Sequence, residues 1–334
     1  MGIILRELRL PEDYKGLAAL LNTHWSEPVT SERLEEDDRK LYTTGHTYRD
    51  EEGRLAGYDR TRIVAATEDG LIAGYVWGWR APWTERGHLN HTIVVAEPFR
   101  KQGIGSRLLE HALQWGTLLG ADTFVTTIWD DEEDSLRFAR RAGLDIDTHA
   151  FQSVLEISAA DPKWLEQDVY NPDIRYATYA ELQQDGASEQ KLYELYKETL
   201  VDIPGFTGEV PVLEEWRKWH LMVEGYAPER VIVAVDGDRF VGVTNVLHNL
   251  QTNGMYHEFT GVSRPYRGRK IAQDLKIQAV RLAVNNQAAY IKTDNDSANA
   301  PILSVNRRLG YKALRGTYRM AGKFGEMKGS ARSE

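Results

Sequence analysis

The sequence predicts an α/β protein built from two copies of one α+β domain, each a central mixed sheet flanked by helices. Three observations predict it. Short segments recur at one constant spacing: RKQGIG at Arg100–Gly105 is answered by RGRKIA at Arg267–Ala272, 167 positions later. The same shift carries Val95 to Val262, Leu108 to Leu275, Asp69-Gly70 to Asp236-Gly237 and Gly143 to Gly310. The chain length, 334 residues, is twice that spacing, and both halves show the same order of strand and helix patterns. A period this long marks a duplicated domain rather than a solenoid.

The first half opens with an alternating strand, Ile3–Leu8. Pro11-Glu12-Asp13 starts a helix that places Leu17, Leu20 and Leu21 on one face. The polar stretch 26–60 predicts one more helix and a mobile loop. Arg62–Thr67 and Leu71–Arg80 form a hairpin around Glu68-Asp69-Gly70. His88–Ala96 is a fourth strand, Ile104–Leu119 a helix and Phe124–Ile128 a strand. Glu133–Arg141 is a helix closed by Ala142-Gly143, and Phe151–Ile157 is the last strand.

The second half repeats the order. It runs from strand Ile174–Tyr176 through helices Glu189–Val201 and Val212–Val223 to a hairpin, Arg230–Val235 and Arg239–Leu247. Strand Met255–Ser263, helix Ile271–Asn286, strand Ala289–Thr293, helix Asn299–Arg308 and strand Ala313–Ala321 follow. The expected domains are residues 1–160 and 173–334, joined by a proline-containing linker, 161–172. A polar tail after Lys323 is expected to fray.

Composition narrows the function. Hydrophobic residues make up 42% and charged residues 27%, as in a globular chain, and the net charge is −9. That balance argues against a nucleic-acid grip and mildly favours a neutral or cationic partner. There is no cysteine, hence no disulfide framework and no thiolate site. The nine histidines show no metal-ligand spacing, so no metal is expected. The charged N-terminus is not a signal peptide, and no apolar run is long enough to cross a bilayer, so a cytoplasmic location is expected.

In both copies a strand runs into an arginine- and glycine-containing loop and then directly into a long helix. The first helical turn has unpaired N–H groups and the positive end of the dipole. In the first copy Lys101, Gln102, Gly103, Ile104, Gly105 and Ser106 can offer amides to an anion, and Arg100 adds charge. An ordinary strand–helix turn uses glycine for packing in the same way, and the dinucleotide fingerprint fits less well, because its third glycine is missing.

Val95–Gly105 and Val262–Ala272 resemble the acyl-CoA loop of the GNAT N-acetyltransferase superfamily. Phe138–Leu144 and Val305–Tyr311 resemble that family's second motif. The resemblance covers nearly the whole chain, as a tandem pair; in tandem members such as those resembling mycothiol synthase, one lobe is catalytic and the other structural. It implies acetyl-CoA as acyl donor and a small-molecule amine as acceptor, attacking directly, with no metal, nucleic acid or membrane, in a monomer or homodimer. The pantetheine arm would lie in a V-shaped gap between the fourth and fifth strands. The pyrophosphate would sit on residues 100–106, or on Arg267, Gly268, Arg269, Lys270 and Ala272. A backbone N–H near Val94 or Val95, and near Val262, would hold the thioester oxygen.

The chain also departs from the family pattern. Ala139 and Asn306 stand where many members have a tyrosine that protonates the leaving thiolate. Glu132 stands where an asparagine often contacts pantetheine, whereas the second copy keeps Asn299. Lys270 replaces the loop glycine. For the base that takes the acceptor's proton, strand alternation without a bulge puts Glu258 and Thr260 on the face of Val262, and the constant spacing matches Glu258 to His91. Either can serve, with Tyr256 and His257 as further candidates; a strand histidine bonded to a neighbour is the plain alternative for His91. Glu258, Asn299 and the aromatic pair Trp216 and Trp219 favour the second copy for turnover. Trp77, Trp79 and Trp83 read as core or interface, and the acidic run Asp130–Asp134 as a helix start. A non-catalytic acyl-CoA sensor and an aminoacyl-transferring relative are the competing functions.

Overall fold

The computed structural model describes residues 2–25, 27–182, 186–203, 206 and 209–328. The first elements are β1 (Ile3–Glu7), α1 (Tyr14–Leu21), α2 (Ser31–Arg39), β2 (His46–Arg49), β3 (Leu55–Thr67), β4 (Ile72–Arg80) and β5 (His88–Val95). Next come α3 (Ile104–Leu119), β6 (Thr123–Trp129), α4 (Glu133–Arg141), β7 (Asp145–Glu156), α5 (Lys163–Glu166), β8 (Arg175–Thr178) and α6 (Gly186–Leu200). The chain continues with α7 (Leu213–Trp216), β9 (Val231–Asp236), β10 (Arg239–Asn249), β11 (Gly254–Val262), α8 (Ile271–Asn285), β12 (Tyr290–Asp296), α9 (Ala300–Leu309) and β13 (Lys312–Lys323).

The two compact units are not the contiguous halves of the sequence. Unit 1 is Met1–Thr148 with Thr317–Glu334, and unit 2 is His149–Gly316. The chain changes unit inside β7 and again inside β13. Residues 150–156 pair antiparallel with β12, and residues 317–323 pair antiparallel with β6. Each copy therefore completes its sheet with the last strand of the other copy. Alternation in a strand tells which face is buried, not which of two similar sheets it joins. The expected boundary at 161–172 fails for the same reason, and that segment is built into unit 2. Trp164 of α5 is buried, and Tyr170 N–H donates to Asp274 of α8 at 2.9 Å.

In unit 1 the strand order is β1-β3-β4-β5-β6-β13, with β2 added to β3. Helix α3 lays Ile104, Leu108, Leu109 and Ala112 on one face of this sheet. Leu17, Leu20 and Leu21 of α1 cover the other. In unit 2 the order is β7-β12-β11-β10-β9-β8. Helix α8 packs on one face, while Leu192, Tyr196 and Trp216 of α6 and α7 pack on the other.

Three local expectations change. The polar stretch 26–60 holds α2, capped by Thr30 on Arg33 N–H, and also the β2–β3 hairpin. There β3 starts at Leu55 instead of Arg62. Its polar residues hid it, and they are paired: Arg62 bonds Asp38 at 2.7 Å, and Asp59 accepts from Gly45 N–H. The helix expected over Val212–Val223 is one α-turn followed by a π-helical turn, Arg217–Leu221. The tail stays packed as far as Met327, with Phe324 against the α3 core and Lys328 N–H on Ala142 O at 3.0 Å; residues 329–334 lie outside the described residues.

Candidate active site

In each unit two parallel strands part half-way along. β5 and β6 pair from His88/Thr123 to His91/Thr126, then run on apart to Val95 and Trp129. β11 and β12 pair from Gly254/Tyr290 to His257/Thr293, then run on apart to Val262 and Asp296. Each divergence is a V-shaped gap edged by backbone groups that need partners. Ala96 N–H bonds Ala73 O on the hairpin side. Backbone groups alternate sides along a strand, so the N–H of Val95, and not that of Val94, faces the gap. Ser263 N–H bonds Val241 O, which turns the N–H of Val262 into the second gap.

At the head of each gap the strand–loop–helix turn has one shape. Lys101 and Gly103 have φ of 61° and 79°, and Gly268 and Lys270 have 76° and 62°. The glycine has changed place while the left-handed turn has not. Each loop thus holds one lysine in a conformation that costs roughly 1–2 kcal/mol for a residue with a Cβ. A Cβ on Gly103 or Gly268 would meet nothing within 4 Å, so the space before each loop is open. Neither α3 nor α8 has a side-chain cap, and the amides around Ile104, Gly105, Ser106 and Ala272 form the kind of helix start that binds anions.

Arg100 Nε donates to Val95 O at 3.1 Å and Arg267 Nε to Val262 O at 3.0 Å, which pins each loop to its strand. Gln102 bonds Pro98 O, and Lys101 pairs with Asp134 at 3.0 Å. In unit 2 Arg264 and Arg267 share Asp202, and Arg264 above all draws that carboxyl down to about 2. Lys270 Nζ lies 4.2 Å above the Tyr170 ring, and the Arg269 guanidinium 5.2 Å from the Tyr266 ring. The lysine that replaces the loop glycine thus has its side chain held on Tyr170.

The two gaps differ by one residue. β4 and β5 pair without a break from Gly74/Val95 to Trp79/Asn90. In β10–β11, Asn245 faces Phe259 and Val246 faces His257, and Glu258 is left without an opposite residue. This is a β-bulge, which bends a strand and re-aims a side chain. Above it, Phe259 to Val262 correspond to Thr92 to Val95. Below it, His257 opposite Thr293 corresponds to His91 opposite Thr126. Glu258 therefore has no counterpart in unit 1, and the match of Glu258 with His91 is corrected. The shared face is corrected too: Val262 packs with the α8 core, whereas Glu258 turns toward α6.

There Glu258 Oε1 lies 2.6 Å from His220 Nδ1. Its other oxygen accepts from Tyr196 Oη at 3.5 Å and Asn245 Nδ2 at 3.4 Å. His220 rides on the π-helical turn, a local winding often found at functional sites. Aromatic packing holds that turn: Tyr196 stacks on Phe259 at 4.1 Å and meets Trp216 at 5.2 Å and His220 at 5.3 Å. Burial, and then the neighbouring Glu258 charge, keep the Tyr196 hydroxyl protonated.

His91 lies elsewhere. It is 3% exposed, stacked at 3.8 Å on Phe124, and neither ring nitrogen has a partner. Burial pushes its pKa down to about 3. The folded unit then refuses a proton that the unfolded chain takes up below about 6.5, so stability falls as pH drops through that window toward the folded value. His91→Phe should remove this cost. Between pH 7 and pH 5 the wild type should lose roughly 2 kcal/mol more than the variant in urea unfolding; equal losses would contradict the burial argument.

The counterpart His257 is buried but satisfied, by Thr244 at 3.2 Å and Tyr311 at 3.0 Å. Beside it Lys276, brought down to about 7 by burial, reaches Thr293 at 3.3 Å. This polar cluster beneath the second gap went unseen in the sequence, because its residues are scattered through helical and strand patterns. Asn299 caps α9 by accepting from Ile302 N–H, and Glu132 accepts from Ser135 at 2.7 Å. Asn306 is buried and donates to Asn295 at 2.7 Å, and Ala139 is buried in the α3 core. Tyr256 bonds Asp294 at 2.6 Å. Among the described residues no cluster of His, Cys, Asp or Glu could hold a metal, and no helix is long and apolar enough to cross a membrane.

Comparison with known proteins agrees with this geometry. The acetyltransferase (GNAT) family model matches residues 18–144 and 190–311, once in each half. No curated protein matches the chain. Among solved structures it resembles a GCN5-related N-acetyltransferase from Sphaerobacter thermophilus, with 19% identity, TM-score 0.72 and 98% of this chain and 97% of that one covered. It also resembles a tandem GNAT protein from the clavulanic acid biosynthesis pathway, at 15% identity and TM-score 0.74, covering 98% and 100%. A glucosamine N-acetyltransferase region of a fungal multi-domain β-N-acetylglucosaminidase matches at 15% identity and TM-score 0.68, covering 96% of this chain and 38% of that one. At these identities the likeness is one of fold.

Proposed function

The chain belongs to the acetyltransferase (GNAT) family, and on that premise we propose that it is an N-acyltransferase, moving an acyl group, acetyl in the simplest case, from acyl-CoA to the amine of a small molecule in unit 2. The observation that carries the reading is the extra residue in β11, which puts Glu258 beside His220 next to the second gap. Unit 1 has the same gap and loop without that residue, and its strand histidine is locked in an aromatic core.

Acyl-CoA, when bound, supplies an activated thioester carbonyl. The chain's own groups do the rest. The left-handed loop and the first turn of α8 offer amides to the pyrophosphate, with Arg264 and Arg267 adding charge. The N–H of Val262 points into the gap, where it can stabilise a developing oxyanion. The Glu258–His220 pair accepts the acceptor's proton. Asn306 cannot act as an acid, so the leaving thiolate is protonated from water.

A non-catalytic acyl-CoA site is the reading that fits unit 1, because β5 has no residue in the place of Glu258 and His91 is locked in the core. An assay of thiol release from acetyl-CoA over a panel of primary amines tests the main reading. At least one amine should release thiol stoichiometrically with its own acylation. Binding of acetyl-CoA without acylation of any amine would leave the binding role for both units.

A further inference from the structure

We propose that His220, and not Glu258, is the group that removes the acceptor's proton, with Glu258 acting through it as a positioning residue. The inference rests on the acyl-transfer reading of unit 2. Both oxygens of Glu258 are engaged, one by His220 Nδ1 at 2.6 Å and the other by Tyr196 and Asn245. A carboxylate only accepts, so Nδ1 carries a hydrogen, and in the neutral imidazole Nε2 keeps a free lone pair. Among the described residues nothing pairs with Nε2, and the His220 side chain keeps 19% exposure. Asn245 and Tyr196 are fully buried and hold the carboxylate from behind. The bulge therefore delivers an orienting group, and the π-helical turn presents the base. This is the arrangement of a base oriented by a third group.

The step balances. Nε2 takes one proton from the ammonium, and the freed lone pair forms the C–N bond at the thioester carbonyl. The C–S bond then breaks with its electron pair on sulfur. The nitrogen loses its second proton as the amide forms, which matches the proton the thiolate takes from water. The imidazolium returns its own proton to solvent.

Two variants and a spectroscopic readout decide. His220→Ala should lower kcat about 100- to 10,000-fold with acetyl-CoA affinity little changed. Added imidazole should restore part of that rate, and none in Glu258→Ala. Glu258→Gln should lose less than His220→Ala, because an amide oxygen still accepts from Nδ1–H. Nitrogen-15 NMR of the wild type should show His220 with its hydrogen on Nδ1. A larger loss in Glu258→Gln than in His220→Ala, no rescue by imidazole, or the Nε2–H form would each overturn the assignment while leaving acyl transfer in place. A wild type that acylates no amine would overturn the acyl-transfer reading and this assignment together.

Discussion

Glu258→Ala is expected to lower kcat by at least about a hundredfold, because the base His220 loses the carboxylate that orients it. Acetyl-CoA affinity should change little, because Glu258 lies on the α6 side of β11 and the phosphate loop is anchored separately through Arg267 on Val262 O. The substitution leaves His220 Nδ1 and Tyr196 Oη without their acceptor, while Asn245 Nδ2 keeps His220 O at 3.4 Å. Some stability should go with it, roughly 1–3 kcal/mol for buried donors left unpaired. Steady-state kinetics beside calorimetry with acetyl-CoA separates the two effects. An unchanged kcat would show that the extra residue in β11 is a packing device.

Much of the fold could be read before any coordinates. Glycine and arginine at one spacing, and apolar faces of period 3.6 at Leu108, Leu109 and Ala112, marked the duplicated loop and helix. The parting of β5 from β6 and of β11 from β12 followed from the resemblance those loops carry. Two features stayed hidden for physical reasons. The exchange of last strands is a choice between two similar sheets, and local pattern does not distinguish them. The bulge at Glu258 is invisible because spacing is restored above it: Val95 and Val262 still stand 167 apart, while the paired histidines His91 and His257 stand 166 apart.

The candidate site was therefore half legible. Glu258 is legible from its place on the fourth strand, but alternation along an unbroken strand puts it on the face of Val262, and the bulge turns it toward α6. His220 directly follows the aromatic pair Trp216 and Trp219, and only its contact with Glu258, 38 residues later in the chain, gives it a role. His91 shows the reverse. Its place on the strand suggested chemistry, and its surroundings, Phe124, Trp115 and Phe324, are those of a core residue.

The central claim is that unit 2 turns over and unit 1 does not. Gly103 and Lys270 occupy the same left-handed position at the start of α3 and α8. Aspartate at either place sets a carboxylate where a phosphate would bind, and aspartate is itself a favoured residue at a helix start. The direct measurement is acetyl-CoA thiol release, with a competent amine, by Gly103→Asp and Lys270→Asp in parallel. Lys270→Asp should abolish turnover, whereas Gly103→Asp should keep the wild-type kcat and lose only a calorimetric binding site. Loss of turnover in Gly103→Asp with turnover retained in Lys270→Asp would contradict the account and move the chemistry to unit 1.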